Sequence, residues 1–161
     1  MSAADREHPA QIASFPHLLE ISTRWMDMDI YGHVNNVVFY SYFDTVVNEY
    51  LMAQGVLDPE TSPVIGLVVE TRCAYFRSLT FPRPVRAGLK VARLGTSSVR
   101  YEIGLFQEPG AEEQGAGGDA ARACAQGHFV HVYVDRHTRR PVPLPAPLKA
   151  ALEKLVVRPP D

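Results

Sequence analysis

The sequence predicts an α+β fold in which a curved antiparallel sheet wraps around one long central helix. Three features of the 161-residue chain support this prediction. A single alternating segment comes first, one long apolar segment follows, and about four further alternating segments complete the chain. Because alternation of apolar and polar residues is typical of half-buried strands, and only one helix lies among them, the strands are expected to pair antiparallel. The length indicates one domain.

The first strand and the helix are predicted from their residue patterns. The strand begins at Leu19, and its buried face is expected to carry Leu19, Ile21, Thr23 and Trp25. Residues 37–54 form an apolar segment about three times longer than a typical strand. Asn35 or Asn36 can cap its beginning, and Gly55 can end it. The segment is therefore predicted to be a helix, and because it is apolar on most sides it must be buried.

The remaining strands are predicted at residues 66–76, 85–94, 99–107 and 122–135. In the first of them, one face is expected to carry Leu67, Val69, Thr71, Cys73 and Tyr75. The turn residues 95–98 indicate a hairpin between the second and third. Residues 108–121 are rich in Gly, Ala and Glu, and predict a flexible hairpin tip outside the active site.

The predicted organisation has three parts. Residues 1–17 form a loose N-terminal arm, residues 18–147 form the domain, and residues 148–161 form a short helix (148–156) and a tail. A proline-rich exit at residues 139–147 precedes that helix.

Composition excludes several classes of protein. The chain carries 16 Lys and Arg against 18 Asp and Glu, a net charge of −2, and 46% of its residues are hydrophobic. This balance is not that of a disordered chain or of a nucleic-acid-binding domain. The N-terminus lacks the apolar region of a signal peptide, and no apolar segment is long enough to span a membrane. A cytoplasmic protein without a membrane or nucleic-acid partner is expected, with Cys73 and Cys124 as buried thiols.

Several familiar sites are excluded by spacing. Asp27, Asp29 and Gly32 resemble part of a calcium loop, but the fifth and twelfth positions are Tyr31 and Val38. His128 and His131 are three residues apart on a predicted strand, so their side chains point to opposite faces and do not share a metal ion. Neither a phosphate-binding glycine loop nor a G-x-S-x-G elbow is present. No metal and no cofactor are therefore expected.

The junction between the first strand and the helix is the strongest candidate for chemistry. It places a carboxylate (Asp29), a histidine (His33), a tyrosine (Tyr31) and two amides (Asn35 and Asn36) beside a helix N-terminus. Free N–H groups and the positive end of the helix dipole favour negative charge there. This combination suits acyl transfer. The earlier carboxylate, Asp27, is expected to be structural.

Residues 24–40 resemble the signature of the 4-hydroxybenzoyl-CoA thioesterase-like family of hotdog-fold enzymes, roughly D-x-D-x-x-G-H-V-N-N. The order of predicted elements agrees over about residues 18–135. The resemblance implies a hotdog fold and hydrolysis of an acyl-CoA thioester without metal or cofactor. It also implies a homodimer or a homotetramer.

The resemblance further implies roles for individual residues. Asp29 matches the catalytic carboxylate, acting as nucleophile or as general base, and His33 orients the substrate or helps to hold that carboxylate. The backbone N–H groups of Val34, Asn35 and Asn36 polarise the thioester oxygen. Tyr31 stands where related plant acyl-carrier-protein thioesterases have asparagine.

Substrate contacts are also predicted outside this junction. Tyr40 is expected to line the acyl pocket. A basic cluster of Arg77, Arg83, Arg86 and Lys90 is a candidate for binding the anionic coenzyme A tail, with Arg83 and Arg86 as the selected contacts. Two alternatives stay open: an acyl-carrier-protein thioesterase, and a non-catalytic protein that binds acyl thioesters.

Overall fold

The computed structural model describes residues 7–114 and 118–158. Its helices and strands are, in chain order, β1 (His17–Ile21), α1 (Asn36–Ala53), β2 (Val64–Tyr75), β3 (Val85–Leu94), β4 (Ser98–Phe106), β5 (Ala125–Asp135) and α2 (Ala146–Glu153). Short 3-10 helices span Ile12–Ser14 and Trp25–Asp27. One long helix followed by antiparallel strands is the predicted order.

The five strands form one antiparallel sheet with the order β1-β3-β4-β5-β2. The predicted hairpin joins β3 to β4, and the N–H of Gly95 donates to the carbonyl of Ser98 at 2.7 Å in its turn. The inner face of the curved sheet and one side of α1 enclose the core. The prediction of an α+β hotdog fold is confirmed.

The ends of α1 follow from local sequence signals. The Asn35 side chain accepts a hydrogen bond from the Val37 N–H at 3.2 Å, which caps the first turn. At the other end Gly55 adopts a φ of +70°, and the Val56 N–H donates to the Leu51 carbonyl at 3.1 Å. This closure is a Schellman motif, which favours glycine because a side chain is disfavoured at positive φ. The predicted bounds of 37–54 differ by one residue at each end.

The helix is buried on one side rather than on most sides. Its inward residues are Phe39, Tyr42, Phe43, Val46, Val47, Tyr50 and Leu51. The opposite side stays exposed in the single chain, including Val37, which is 64% exposed, and Met52, which is 45% exposed.

A β-bulge in β2 makes the predicted pattern of its faces wrong. Val68 pairs with His131 and Glu70 pairs with Val130, so Val69 has no partner in the register. The extra residue reverses the alternation, as bulges do. Thr71, Cys73 and Tyr75 therefore share a face with Val68, whereas Leu67 lies on the other face with Glu70.

β1 ends at Ile21, earlier than predicted, because its partner strand β3 begins at the paired residue Val85. Ile21 pairs with Val85, the first residue of β3, and the pairing of β1 with β3 ends there. The Thr23 hydroxyl instead donates to the Arg83 carbonyl at 3.0 Å. Trp25 begins a 3-10 helix and is 80% exposed, so its predicted place on a buried strand face is wrong.

The described part of the N-terminal arm, residues 7–16, packs on the outer face of the sheet, in contrast to the expected loose arm. Phe15 is only 8% exposed, and its ring meets Phe106 edge-on with centroids 5.7 Å apart. The ring lies over Gly88 and Gly104, where any side chain would collide with it. Residues 1–6 lie outside the described residues.

The C-terminal segments agree broadly with expectation. The last strand begins at Ala125 rather than at residue 122, and α2 begins two residues before the predicted start and ends at Glu153. Residues 110–114 form a turn, and part of the predicted hairpin tip, residues 115–117, lies outside the described residues. Among the helices described, none is long and apolar enough to cross a membrane.

Candidate active site

Asp27 holds the segment between β1 and α1 in place and is only 1% exposed. Its Oδ1 accepts hydrogen bonds from the Arg24 Nε and Nη2 at 3.0 and 2.8 Å. Its Oδ2 accepts from the Arg24 backbone N–H at 2.9 Å and from the Tyr42 hydroxyl at 3.0 Å. Burial opposes ionisation of this carboxyl, but these hydrogen bonds outweigh it and lower the pKa of Asp27. Because both oxygens are occupied, Asp27 anchors the turn, as expected.

Asp29 lies in a tight turn with one carboxylate oxygen held and the other free. Oδ1 accepts hydrogen bonds from the backbone N–H groups of Tyr31 at 2.8 Å and His33 at 3.4 Å. Gly32 closes the turn at a φ of +78°, in the left-handed region that favours glycine. Oδ2 accepts no hydrogen bond from residues 7–114 or 118–158. The backbone of His33, rather than its exposed imidazole, therefore holds the carboxylate.

The helix N-terminus offers fewer free N–H groups than predicted. The Val34 N–H donates to the Leu79 carbonyl and the Asn35 N–H donates to the Asp27 carbonyl, each at 2.8 Å. These two groups are already bonded, so the expectation that they polarise a thioester is wrong. The Asn36 N–H makes no hydrogen bond within the described part of the chain. It is therefore the donor of the predicted set that is left for a substrate oxygen.

A cleft of about 470 Å³ opens at this junction. Its lining residues are Asp29, Tyr31, His33, Val34, Asn36, Phe39, Tyr75, Phe76, Arg77 and Ser78. The structure thus brings together five predicted site residues. Pairing with β5 places the C-terminal end of β2 beside the start of α1. Residues 75–78 therefore reach the cleft. The Tyr75 hydroxyl donates to the Asn36 carbonyl at 3.3 Å, a long-range contact that no local sequence signal predicts.

Four of the predicted substrate contacts do not line this cleft, namely Asn35, Tyr40, Arg83 and Arg86. The Tyr40 ring stacks on Phe129, with centroids 6.4 Å apart. Arg83 binds the Thr80 hydroxyl, and Arg86 lies 3.4 Å from a Glu108 carboxylate oxygen. Asn35 acts as the helix cap described above.

Arg77 is the member of the predicted basic cluster that lines the cleft. Its Nη2 donates to the Gln107 carbonyl at 2.9 Å, and its Nη1 lies 3.3 Å from Oε2 of Glu113. The same oxygen accepts the Gly110 N–H at 2.9 Å, and this bond, with Arg77 and Arg83 nearby, lowers the pKa of Glu113 despite partial burial. The turn at 110–114 therefore packs against a residue of the cleft, although none of its own residues lines the cleft. The expectation that residues 108–121 lie outside the active site stays a prediction.

His128 and His131 lie on opposite faces of the sheet, as their spacing on one strand predicts. His128 lies on the outer face of the sheet, with Nε2 2.6 Å from a Glu70 oxygen, whereas the His131 ring packs on the inner side against Tyr101. In residues 7–114 and 118–158, no group of three or more His, Cys, Asp or Glu side chains is arranged to hold a metal ion. Burial raises the pKa of the Cys73 thiol to about 11, which keeps it protonated at neutral pH.

Comparison with protein families identifies the group to which this fold and turn belong. The sequence pattern of the thioesterase-like superfamily matches residues 23–152, which include the Asp29 turn, α1 and most of the sheet. The chain belongs to the thioesterase-like superfamily.

Individual proteins are similar to this superfamily member in sequence or in fold. The PA5185 protein from Pseudomonas aeruginosa strain PAO1 is 49% identical, with a TM-score of 0.83 over 93% of this chain and 97% of that chain. A thioesterase from Thermus thermophilus, solved complexed with coenzyme A and Zn, is 27% identical, with a TM-score of 0.69 over 91% of this chain and 98% of that one. The YsmA protein of Bacillus subtilis (strain 168) is 28% identical over 86 residues, which span 53% of this chain and 58% of that protein.

Proposed function

We propose that this protein hydrolyses an acyl-CoA thioester to a free carboxylic acid and coenzyme A. The observation that carries the proposal is the pairing of two unused groups on residues of one cleft. Among the residues that the structure describes, one carboxylate oxygen of Asp29 and the N–H of Asn36 at the start of α1 have no hydrogen-bond partner. Acyl transfer needs both a carboxylate that attacks or removes a proton and a donor for the oxygen that gains charge.

The reaction begins when the carbonyl oxygen of the substrate accepts a hydrogen bond from the backbone N–H of Asn36. The positive end of the helix dipole then stabilises the negative charge that develops on that oxygen. As a nucleophile, Asp29 forms a C–O bond to the carbonyl carbon, the C–S bond breaks, and coenzyme A leaves as a thiolate. Water then hydrolyses the resulting anhydride.

As a general base, Asp29 instead takes a proton from water, whose oxygen attacks the carbonyl carbon directly. The same C–S bond breaks, and the thiolate leaves. Both routes need the ionised carboxylate, and both fit the turn that orients it. His33 is proposed to orient the substrate at the mouth of the cleft.

The cleft wall suits a thioester with an apolar acyl group. Val34, Phe39 and Phe76 supply apolar surface, and Arg77 supplies a cation for the anionic tail of coenzyme A. The Thermus relative, solved with coenzyme A, supports this substrate class over an acyl carrier protein. A cytoplasmic location stays a prediction.

Replacing Arg77 with glutamine is expected to raise KM for acyl-CoA by about tenfold while kcat stays within about twofold. Loss of a phosphate contact removes binding that is equal in the ground and transition states. Steady-state kinetics on Arg77→Gln measures this split. Arg86→Gln is the matched control because Arg86 lies outside the cleft, and equal effects of the two variants would contradict the assignment.

The protein is expected to form a homodimer or homotetramer. β2 is an edge strand whose middle is uncovered in the single chain, with Val68 46% and Val69 61% exposed. An exposed apolar edge strand is a template for pairing with another chain. Light scattering at micromolar concentration measures the mass, and a stable, active monomer would contradict the prediction.

A panel of short, long and aromatic acyl-CoAs, scored for thiol release, tests the proposed reaction. The same acyl groups on an acyl carrier protein test the first alternative. Tight binding of acyl-CoA without thiol release from any member would favour the non-catalytic alternative.

A further inference from the structure

Glu113 joins the turn at residues 110–114 to the cationic wall of the cleft. Its Oε2 lies 3.3 Å from Arg77 Nη1 and 4.0 Å from Arg83 Nη2. The same oxygen accepts the Gly110 N–H at 2.9 Å. Arg77 lines the cleft, whereas Glu113 does not. The cation that is available for the anionic tail of coenzyme A is therefore already paired with a carboxylate of the protein.

The Glu113 carboxylate occupies a place that suits an anion. Two guanidinium groups and one backbone N–H surround a single oxygen, and arginines bind phosphates through the same donors that bind carboxylates. The donors also pack on one another, because a Cβ at position 110 would lie 3.3 Å from Arg83 Cζ. An anion that enters the cleft and contacts Arg77 therefore approaches a position that Glu113 already fills.

The charge of Glu113 is present under ordinary conditions. The Gly110 N–H and the two arginines lower the pKa of its carboxyl despite partial burial, so the group is ionised at neutral pH. The side chain of Arg77 is 19% exposed and that of Glu113 is 34% exposed. Because the pair is partly shielded from water, solvent screens it less than it screens a fully exposed pair.

Arg77 is also held on the side away from Glu113. Its Nη2 donates to the Gln107 carbonyl at 2.9 Å, and Gln107 is only 1% exposed. The Gln107 side chain is fixed by the Thr80 N–H, which donates to its Oε1 at 2.9 Å. Arg77 therefore keeps its place in the cleft wall when the contact with Glu113 is broken.

We propose that Glu113 competes with a phosphate group of the substrate for Arg77, and thereby sets the affinity of the cleft for thioesters that carry phosphates. This inference rests on the proposed function, because it requires coenzyme A to reach Arg77. A phosphate monoester carries a charge of about −1.5 to −2 and three acceptor oxygens, so it can displace a carboxylate from a guanidinium. Breaking the pair between Arg77 and Glu113 opposes binding, and removing the charge of Glu113 removes this opposition.

Calorimetry with coenzyme A on the full chain measures the competition. Glu113→Gln is expected to bind coenzyme A about fivefold more tightly than wild type, because the amide oxygen still accepts the Gly110 N–H but carries no charge. Glu112→Gln is the matched control. It removes the same charge from an exposed side chain that makes no salt bridge in the described part of the chain, and is expected to change the affinity by less than about twofold.

A double-mutant cycle tests whether the effect acts through Arg77. In the Arg77→Gln background, Glu113→Gln is expected to change the affinity for coenzyme A by less than about twofold, because the cation for which Glu113 competes is gone. Salt supplies a second readout. The gain in affinity is expected to shrink as the ionic strength rises from about 0.05 to about 0.5 M, because salt screens competition between charges.

Thioesters of pantetheine carry the same reacting group without the phosphates that the nucleotide part of coenzyme A contributes. Glu113→Gln is expected to lower KM for an acyl-CoA by about fivefold, with kcat within about twofold of wild type. KM for the matching acyl-pantetheine is expected to stay within about twofold of wild type. A general effect of Glu113 on the shape of the cleft would change both substrates alike.

Three results would overturn the inference. Glu113→Gln could bind coenzyme A no more tightly than wild type, its gain could persist in the Arg77→Gln background, or the gain could extend equally to acyl-pantetheine. Failure of the proposed function gives a different result, namely no thiol release from any acyl-CoA. Calorimetry with coenzyme A does not depend on turnover, so it measures the competition even in that case.

Discussion

Asp29→Asn is expected to lower kcat by about a thousandfold, roughly 4 kcal/mol of barrier, while affinity for coenzyme A stays nearly unchanged. Asparagine retains an oxygen that accepts the Tyr31 N–H, so the turn keeps its shape. The variant loses the ionised oxygen that attacks the thioester or deprotonates water. Steady-state kinetics gives kcat, and calorimetry with coenzyme A gives the affinity.

The stability of Asp29→Asn is part of this prediction. The Asp29 carboxylate accepts two backbone hydrogen bonds and contacts no cation through a salt bridge in the described residues, so thermal melting is expected to change little. Near-normal turnover in a folded Asp29→Asn variant would refute the role assigned to this carboxylate.

The fold was predictable where local signals coincide. Asn35 and Gly55 bracket a segment that is too long for a typical strand, so a helix was predicted, and its ends agree within one residue. Its burial was overestimated, because only one side of α1 packs in the single chain. The bulge at Val69 was not predictable, because the sequence on both sides alternates normally and the pairing with β5 decides where a residue is skipped. Phe15 was also missed, since its partner surface exists only after Gly88 and Gly104 come together.

The candidate site also contains residues that local sequence signals indicate and residues that only the folded sheet brings together. The turn that contains Asp29 and Gly32 is local, so its residues could be selected from their chemistry beside a helix N-terminus and from the resemblance to the family signature. Tyr75 and Arg77 come from the end of another strand, and only the pairing of β2 with β5 carries them to α1. Which N–H groups stay free also depends on distant partners, as the bond from Val34 to Leu79 shows.

The two aspartates of the motif differ in the way that burial and hydrogen bonding dictate. They are two residues apart, yet Asp27 is 1% exposed with both oxygens bonded. Asp29 instead lines a cleft, and one of its oxygens accepts no hydrogen bond from the described part of the chain. A carboxylate used for chemistry needs an oxygen that the protein leaves unbonded, and a carboxylate used as an anchor needs none. The same substitution at the two positions is therefore expected to give opposite results.

Asp27→Asn is expected to lower the free energy of unfolding by about 2 kcal/mol, because the bonds to Arg24 and Tyr42 are weakened inside the protein. For a domain of this size the melting temperature falls by about 4–8 °C. Turnover of the folded fraction is expected to stay near that of wild type. Thermal melts at neutral pH with kinetics below the melting temperature measure both effects.

The pH dependence of Asp27→Asn gives the stricter test. The folded protein lowers the pKa of Asp27 below its ordinary value of 3.8, so the stabilisation is fully present above that value. It is lost as the pH falls through the lower folded pKa, because the native carboxylate then takes up a proton that the unfolded chain already holds. The difference in stability between wild type and Asp27→Asn is therefore expected to be constant from about pH 6 to 8 and to shrink below about pH 4. A difference that stays constant down to about pH 2, or a variant as stable as wild type at neutral pH, would show that Asp27 does not anchor the turn through its charge.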